Sequence, residues 1–565
     1  MVGGFGVVAN LPGTGSSEIP LELRQRLLQE AGIKGWGSMR LGTQGVTPAA
    51  FLNSPTTAVV RVEGLIPPGA TRGTRFDVLV TALDQQTTSL EDGDLYTTSL
   101  GFGGANASVR FARKQAVARG KTYLNPFHEE SDESGGPGSF GGDGFSESSW
   151  GSGSSGRGGT WNARRVIVLS GGEVVQPRKL ELILNRPGWQ MSRFIADRIN
   201  ERFPKAPQDR FDTAVAQTDL RIQLHVPDRF QSNPQEILSL ISHLYLRREE
   251  NFEPQQARRL ADVLLAQPHM AHDIVMAWRA LGKTVVPVLR EFYGAERDVT
   301  VRLAALEAGA ALGDETTVRF LRELASHPEP DVRRRCAGIL RHRPRSIVGP
   351  AVLRELLDDQ DVSVRITAYE VLVAISDQVV QRERMVSGGK VKFVLDLLPS
   401  KHPLIYISQV RQPRIVIFHK ETGFNTPLLE SVWDGRLRLR DQGGDELAVF
   451  YQRPGQVEGE VFSLRPTVAN LVFLLGHRPD ARNPTDGLDL SYSRAVSAVF
   501  QLSRKGVIPA AIELEPSPLA AMIIEAQKKP SDLVRPQTTN PRDQTGARRA
   551  APTSPDPGSL VQRAR

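Results

Sequence analysis

The chain has 565 residues, too many for one compact core, so three or four folded units are expected. Hydrophobic residues make up 40% and charged residues 24%, and no window approaches the roughly 18 consecutive apolar residues of a spanning helix, which excludes insertion by a transmembrane helix. The net charge of +7 is concentrated near the C-terminus, and the single cysteine, Cys336, excludes both an intrachain disulfide and a cysteine-based zinc cluster.

The opening Met1-Val2-Gly3-Gly4-Phe5-Gly6-Val7-Val8 has no basic stretch followed by a long apolar run, so it does not read as a secretory signal. The first block is expected to be α+β. Ser17 and Pro20 suit a helix entry, Leu23, Leu27 and Ala31 follow at helical spacing, and Gly32 is placed to stop the helix. Two strands are expected next, Thr57 to Val62 with Ala58, Val60 and Val62 on one side, and Arg75 to Val80 with Phe76, Val78 and Val80 on one face, Pro67-Pro68-Gly69 turning the chain between them.

From Glu129 to Gly159 the composition changes to Gly, Ser, Asp and Glu, which reads as a solvated linker. A second α+β block follows. Leu180 to Leu184 is a short strand, Met191, Phe194, Ile195, Ile199 and Phe203 mark a helix, and Leu220, Ile222, Leu224 and Val226 alternate as a half-buried strand.

An internal repeat then begins. Leu289-Arg290-Glu291-Phe292 recurs as Leu321-Arg322-Glu323-Leu324 and as Leu353-Arg354-Glu355-Leu356, at a spacing of 32 residues. Asp298-Val299, Asp331-Val332 and Asp361-Val362 track it, each followed by an arginine (Arg302, Arg335, Arg365) and a small residue (Ala305, Gly338, Ala368). An aspartate there suits a helix start, and the small residues suit close helix packing. This pattern resembles HEAT-type repeats, and the resemblance implies stacked helix pairs in a short solenoid.

Beyond Lys390, strands are expected at Val391 to Leu397 and Arg414 to Phe418, and turns at Gly435 and Gly443-Gly444. Helical stripes follow at Val468, Leu471, Val472, Leu475 and at Ala495, Val496, Val499, Leu502, with a closing strand over Ile512 to Glu515. After Lys528 the chain is rich in Pro, Thr and Arg, which reads as a disordered tail.

No constellation for chemistry stands out. Gly13-Thr14-Gly15-Ser16-Ser17 lacks the lysine of a phosphate loop. Gly101-Phe102-Gly103-Gly104-Ala105-Asn106 lacks the strand–loop–helix setting of a dinucleotide site. Asp92 and Asp94 sit in a turn without a positioned partner, His269 and His272 lack a third ligand, and Ser170 is not in a nucleophile elbow. The expectation is no catalytic, cofactor-binding or metal-binding residue, no cofactor and no enzymatic activity. Nucleic-acid binding is not expected either, because no aromatic residue interleaves with the tail arginines.

The strings flanking the repeats resemble the flagellar P-ring protein family. Gly4-Phe5-Gly6-Val7-Val8-Ala9-Asn10-Leu11-Pro12-Gly13-Thr14-Gly15 is similar to its Gly-aromatic-Gly opening. Thr57 to Val62 with Pro67 to Ala70, Arg75 to Val80, and the run Ser89 to Leu95 follow in family order, Asp92 replacing the usual glycine. So do Gly171 to Val175, Leu180 to Asn185 and Ile195-Ala196-Asp197-Arg198-Ile199-Asn200. After the repeats, Arg414 to Ile417 with Glu421-Thr422-Gly423, Thr467 to Val472 and Gly506 to Glu513 resemble the family's closing strings.

The resemblance implies a periplasmic, homo-oligomeric ring of the bacterial flagellum basal body. It would serve as a bushing in contact with the rod and outer-ring proteins, in a motility organelle. The family's secretion signal and first segment are missing ahead of the opening string, which implies a start placed too far downstream. The expected fold class is α+β multidomain, with mixed α/β P-ring-like domains and an inserted all-α HEAT-like solenoid. Its expected division is a P-ring-like domain at 1–126, an acidic Gly/Ser-rich linker at 127–162 and a small P-ring-like α+β domain at 163–250. HEAT-like repeats at 253–380, a P-ring-like β/α segment at 388–516 and a basic Pro-rich tail at 527–565 complete it. The solenoid would add a protein-binding surface. The competing expectation is a HEAT-repeat adaptor or scaffold outside any flagellum.

Overall fold

The structure, a computed structural model, describes residues 1–16, 18, 21–34, 47–102, 114–126 and 163–517, the last without 178, 232, 248, 250, 295, 296, 345 and 482, and also 519, 522 and 523. The acidic Glu129–Gly159 run, the basic tail, Ser17, Pro20 and Gly103 to Asn106 therefore lie outside the described residues.

The first block closes on itself. Strand β1 (Val2–Ala9) is followed by helices α1 (Leu21–Lys34) and α2 (Pro48–Leu52). Strands β2 (Ala58–Gly64), β3 (Arg75–Ala82), β4 (Asp94–Phe102), β5 (Ala116–Lys121) and β6 (Arg165–Val174) complete it. The strands pair in the order β1-β2-β3-β6-β5-β4 as a barrel, every pairing antiparallel. Within the expected α+β block, two helices thus lie against an all-antiparallel barrel. The period-2 alternation read from the sequence sets its two faces. Ala58, Val60, Val62, Phe76, Val78 and Val80 fill the inside. Val7, Ala9 and Val59 face outward, where Leu27, Phe51 and Leu52 of α1 and α2 cover them. Helix α1 runs on through Gly32 to Lys34, so that glycine does not stop it.

Close strand approach explains one glycine of the opening string. A Cβ at Gly4 would sit 2.3 Å from the carbonyl oxygen of Ser99 on β4.

The second block is a three-stranded sheet, β7-β9-β8, of β7 (Leu180–Ile183), β8 (Ala214–Ala216) and β9 (Arg221–Leu224). Helices α3 (Trp189–Arg202) and α4 (Pro234–Ser242) share its core through Ala196, Ile199, Ile222, Leu224 and Ile237.

Eight helices follow in pairs. They are α5 (Phe252–Ala266), α6 (Ala271–Leu281), α7 (Val286–Arg290), α8 (Val299–Leu312), α9 (Thr317–Leu324), α10 (Pro330–Leu340), α11 (Val348–Leu356) and α12 (Val362–Ala374). The second helix of each pair stacks on the next, α6 on α8, α8 on α10 and α10 on α12. Helix α8 is buried nearly all round, as its Ala- and Gly-rich, uniformly apolar sequence requires. Asp298 and Asp361 accept the amides of Thr300 and Ser363 at 2.8 and 2.9 Å, the capping role read from the sequence. Asp331 departs from it. Pro330 starts α10 two residues early, so Asp331 lies inside the first turn and bonds Arg334 at 2.8 Å.

Two further sheets close the chain. Strands β10 (Gln381–Ser387), β11 (Lys390–Leu397), β12 (Leu404–Ile407) and β13 (Arg414–Ile417) lead into a meander of β14 (Leu429–Val432), β15 (Leu437–Asp441), β16 (Leu447–Tyr451) and β17 (Glu460–Leu464). Helices α13 (Val468–Gly476) and α14 (Tyr492–Arg504) precede β18 (Ala511–Leu514). The five-stranded sheet runs β10-β11-β13-β12-β18, with β11–β13 and β12–β18 parallel, so the mixed sheet is here. Its central strands are apolar on both faces because both are covered. Leu404, Tyr406, Val416 and Phe418 join the core of the helix pairs, whereas Ile405, Ile407, Ile415 and Ile417 join that of α13 and α14.

Gly4→Ala is expected to force β1 and β4 apart and cost about 1–3 kcal/mol, read as a lower urea midpoint at unchanged slope.

Candidate functional site

Much of the polar chemistry of the described residues lies at seams between these units, and among the seam residues that the sequence also marks are Asp92, Ser170 and Arg365. The first seam joins the barrel to the last unit. Tyr123, just past β5, packs its ring, tilted by 40°, 5.0 Å from that of Tyr492 at the start of α14, which in turn lies 5.7 Å from Phe393. The Tyr492 hydroxyl donates to the carbonyl of Ser408 at 2.6 Å, with that of Arg414 at 3.0 Å. The Tyr123 hydroxyl is buried without a partner.

Asp77 of β3 stands at the same seam. Its carboxylate accepts the amide of Ser170 at 2.6 Å and that of Arg411 at 2.8 Å, both residues with positive φ. Burial raises the Asp77 pKa, and those two amides oppose the rise. Burial likewise raises Glu91, opposed by the nearby Arg494 guanidinium.

The second seam joins the helix pairs to the five-stranded sheet. Asp396 of β11, fully buried, accepts from Tyr369 of α12 at 2.7 Å and from both nitrogens of Arg382 at 2.7 Å. Arg414 of β13 reaches back to Glu370 at 2.9 Å and to the Tyr369 hydroxyl at 3.2 Å. Ser400 donates to the carbonyl of Leu357, and Arg365 to that of His402. At the opposite end of the helix pairs, Arg202 of α3 donates to the carbonyls of Arg279 and Ala280, the free C-terminal acceptors of α6.

Within the helix pairs, arginine–carboxylate bonds tie neighbours together. Arg290 holds Asp314 through two nitrogens at 2.9 and 2.8 Å, Arg333 holds Asp359 at 2.6 and 2.8 Å, and Arg354 holds Asp377 at 3.0 and 2.7 Å. Burial alone would raise Asp314, but Arg290 and Thr316 outweigh it and bring the pKa to about 2. Asp359 and Asp377 are lowered by the same balance.

The residues weighed for chemistry are spread through these structures. Gly13 to Ser16 are stitched to their surroundings: Gly15 donates to Pro55 at 2.9 Å, Ser16 to the carbonyl of Thr57 at 2.9 Å, and the Thr14 hydroxyl to Ser89 at 2.8 Å. Those amides are therefore not aimed at a ligand. Asp94 is held by Lys121 at 3.2 Å and Asn10 at 2.8 Å, while Asp92, at φ 59°, lies 3.8 Å from Arg494 across the first seam. His269 sits in a short turn before α6 and His272 at the start of α6. Among the described residues no group of three or more His, Cys, Asp or Glu side chains is placed to hold a metal ion. Ser170 supplies its amide to Asp77, and Cys336 is buried, its thiol pushed up to about 12 by burial.

What this arrangement does is hold several folded units together. Residues 1–253, the barrel and its three-stranded companion, match the family model described as flagellar P-ring protein. The chain is similar to the flagellar P-ring protein of Rhodopseudomonas palustris (strain TIE-1), 28% identical over 265 residues, covering 46% of this chain and 58% of that protein. It is also similar to those of Agrobacterium fabrum (33% over 133 residues, 23% of this chain and 30% of that protein) and Rhizobium etli strain CFN 42 (32% over 131 residues, 22% and 30%). The chain thus spans somewhat more than half of the Rhodopseudomonas relative and less of the others.

Two outcomes test the seams. Tyr123→Phe should leave thermal stability unchanged or slightly raised, because it deletes an unpartnered buried hydroxyl, whereas Tyr492→Phe should cost about 1–2 kcal/mol by stripping a satisfied one. Lowered carboxylate pKa values place stability above the unfolded range and remove it as pH falls through the folded values. Pepsin cleavage between pH 4 and 2 should therefore begin within residues 290–377, while the raised Asp77 and Glu91, which lose nothing on protonation, keep the first seam closed.

Proposed function

We propose that this chain is a structural, non-catalytic subunit of the flagellar basal-body P ring, located in the periplasm and assembled with copies of itself around the rod. The observation that carries the reading is the P-ring family match over the barrel and three-stranded sheet, residues 1–253. The strings at residues 390–516 resemble the family's closing strings, and the Tyr123–Tyr492 seam joins that segment to the matched part. Rod and outer-ring proteins are the partners of such a ring. Copies of one chain form rings through head-to-tail contacts that close by rotation.

On this reading the helix pairs are HEAT-like repeats inserted into a P-ring frame, and they add a surface for another protein. The division is that expected from the sequence: 1–126, 163–250 and 388–516 as frame, 253–380 as insertion, with the 127–162 linker and the 527–565 tail outside it. No cofactor, metal, nucleic acid or catalytic residue has a part in it.

The test is the location and assembly state of the tagged full-length product. Ring-shaped assemblies in purified basal bodies, and association above the monomer in sedimentation at high concentration, are the expected results. A monomer that is absent from basal bodies would overturn the reading and leave the HEAT-repeat adaptor in its place.

A further inference from the structure

Two open sheet edges of the last unit carry matching side chains. The meander β14 to β17 closes its first edge with α14. Lys505 bonds the carbonyl of Ser431 at 2.6 Å and Glu430 at 2.9 Å, and Gln501 accepts the amide of Trp433 at 3.2 Å. The opposite edge, β17, pairs only with β16, so among the described residues one row of its amides and carbonyls has no strand beside it.

Open edges are commonly guarded by lysine or proline. Glu460-Val461-Phe462-Ser463-Leu464 has neither, and its one charge, Glu460, is paired with Arg453 at 3.3 Å. Val461, the register partner of Phe450, is 68% exposed, and Val457 in the preceding bend is 94% exposed. Glu458 is exposed and makes no ion pair among the described residues.

The five-stranded sheet has the reciprocal edge. Strand β10 pairs only with β11, and Val386 and its register partner Val391 are both nearly half exposed. Arg384 lies two residues before Val386, on the face opposite Glu383 and Met385. It is exposed and makes no ion pair among the described residues. One edge thus presents exposed valines and a carboxylate, the other exposed valines and a guanidinium. Two different edges that match each other make a head-to-tail contact, the kind that closes into rings.

We propose that β17 of one copy pairs with β10 of the next, Glu458 meeting Arg384 and the exposed valines covering one another. The inference rests on reading the chain as a ring subunit, and it names the contact that builds the ring.

The test is sedimentation of the full chain at rising concentration, with purified basal bodies as a second readout. Val461→Lys puts a charge on the open edge, whereas Glu458→Arg and Arg384→Glu each set like charges against one another. Each should raise the concentration for half-assembly at least about ten-fold. The thermal midpoint should not move, because all three side chains are exposed. Glu458→Arg combined with Arg384→Glu should restore assembly, which a damaged fold would not do. The inference is overturned if any single variant assembles as the parent chain does, or if the double variant stays monomeric. A single variant that assembles in solution yet is missing from basal bodies also overturns it, and assigns the edge to a rod or outer-ring protein. A parent chain that is monomeric and absent from basal bodies takes down the ring reading itself, whereas rings formed by parent and variants alike fail this inference alone.

Discussion

Arg414 of β13 is bonded from two directions, and the joining of the units depends on it. Its backbone carbonyl meets the hydroxyl of Tyr492, which packs against Tyr123 of the barrel, and its side chain reaches Glu370 and Tyr369 of the helix pairs. One residue of a central strand therefore fixes the barrel on one side and the helix pairs on the other. A buried ion pair contributes little net stability, since desolvation offsets most of its Coulomb energy. What it fixes is geometry. Asp396, wholly buried, is held by Arg382 of the neighbouring strand β10 and gains the Tyr369 hydroxyl only when α12 is seated on the sheet as it is here.

The helix pairs are consequently more than an interruption of the chain around them. Stacked helix pairs have an apolar surface at each end that must be covered. Here the flanking units provide both covers: Arg202 of α3 closes the C-terminal carbonyls of α6, and Leu398, Leu404, Tyr406, Val416 and Phe418 enter the core beyond α12. The helix pairs are a layer held at both ends. The sheet that covers the far end turns its second face to α13 and α14, so one set of strands serves two cores.

Local periodicity made much of this readable. Ala58, Val60 and Val62, and Phe76, Val78 and Val80, were legible as inward faces because a strand alternates every second residue whatever it pairs with. Barrel closure was not. It rests on β1 meeting β4 and β3 meeting β6, pairings of distant segments that leave no local mark. The meander β14 to β17 was missed beyond its turns, its strands being only four or five residues long. Gly32 misled because a glycine weakens a helix without obliging it to end. Asp331 misled because a single proline moved the helix start.

The seams were still less legible, for the same reason carried further. Tyr123 and the residues it meets are separated by hundreds of positions, and a buried tyrosine looks like any other in a sequence. The arginines of the 32-residue repeat were visible, but their aspartates were not, because the intervening loops differ by a residue and the partners fall out of register: 24 positions on for Arg290 and 23 for Arg354.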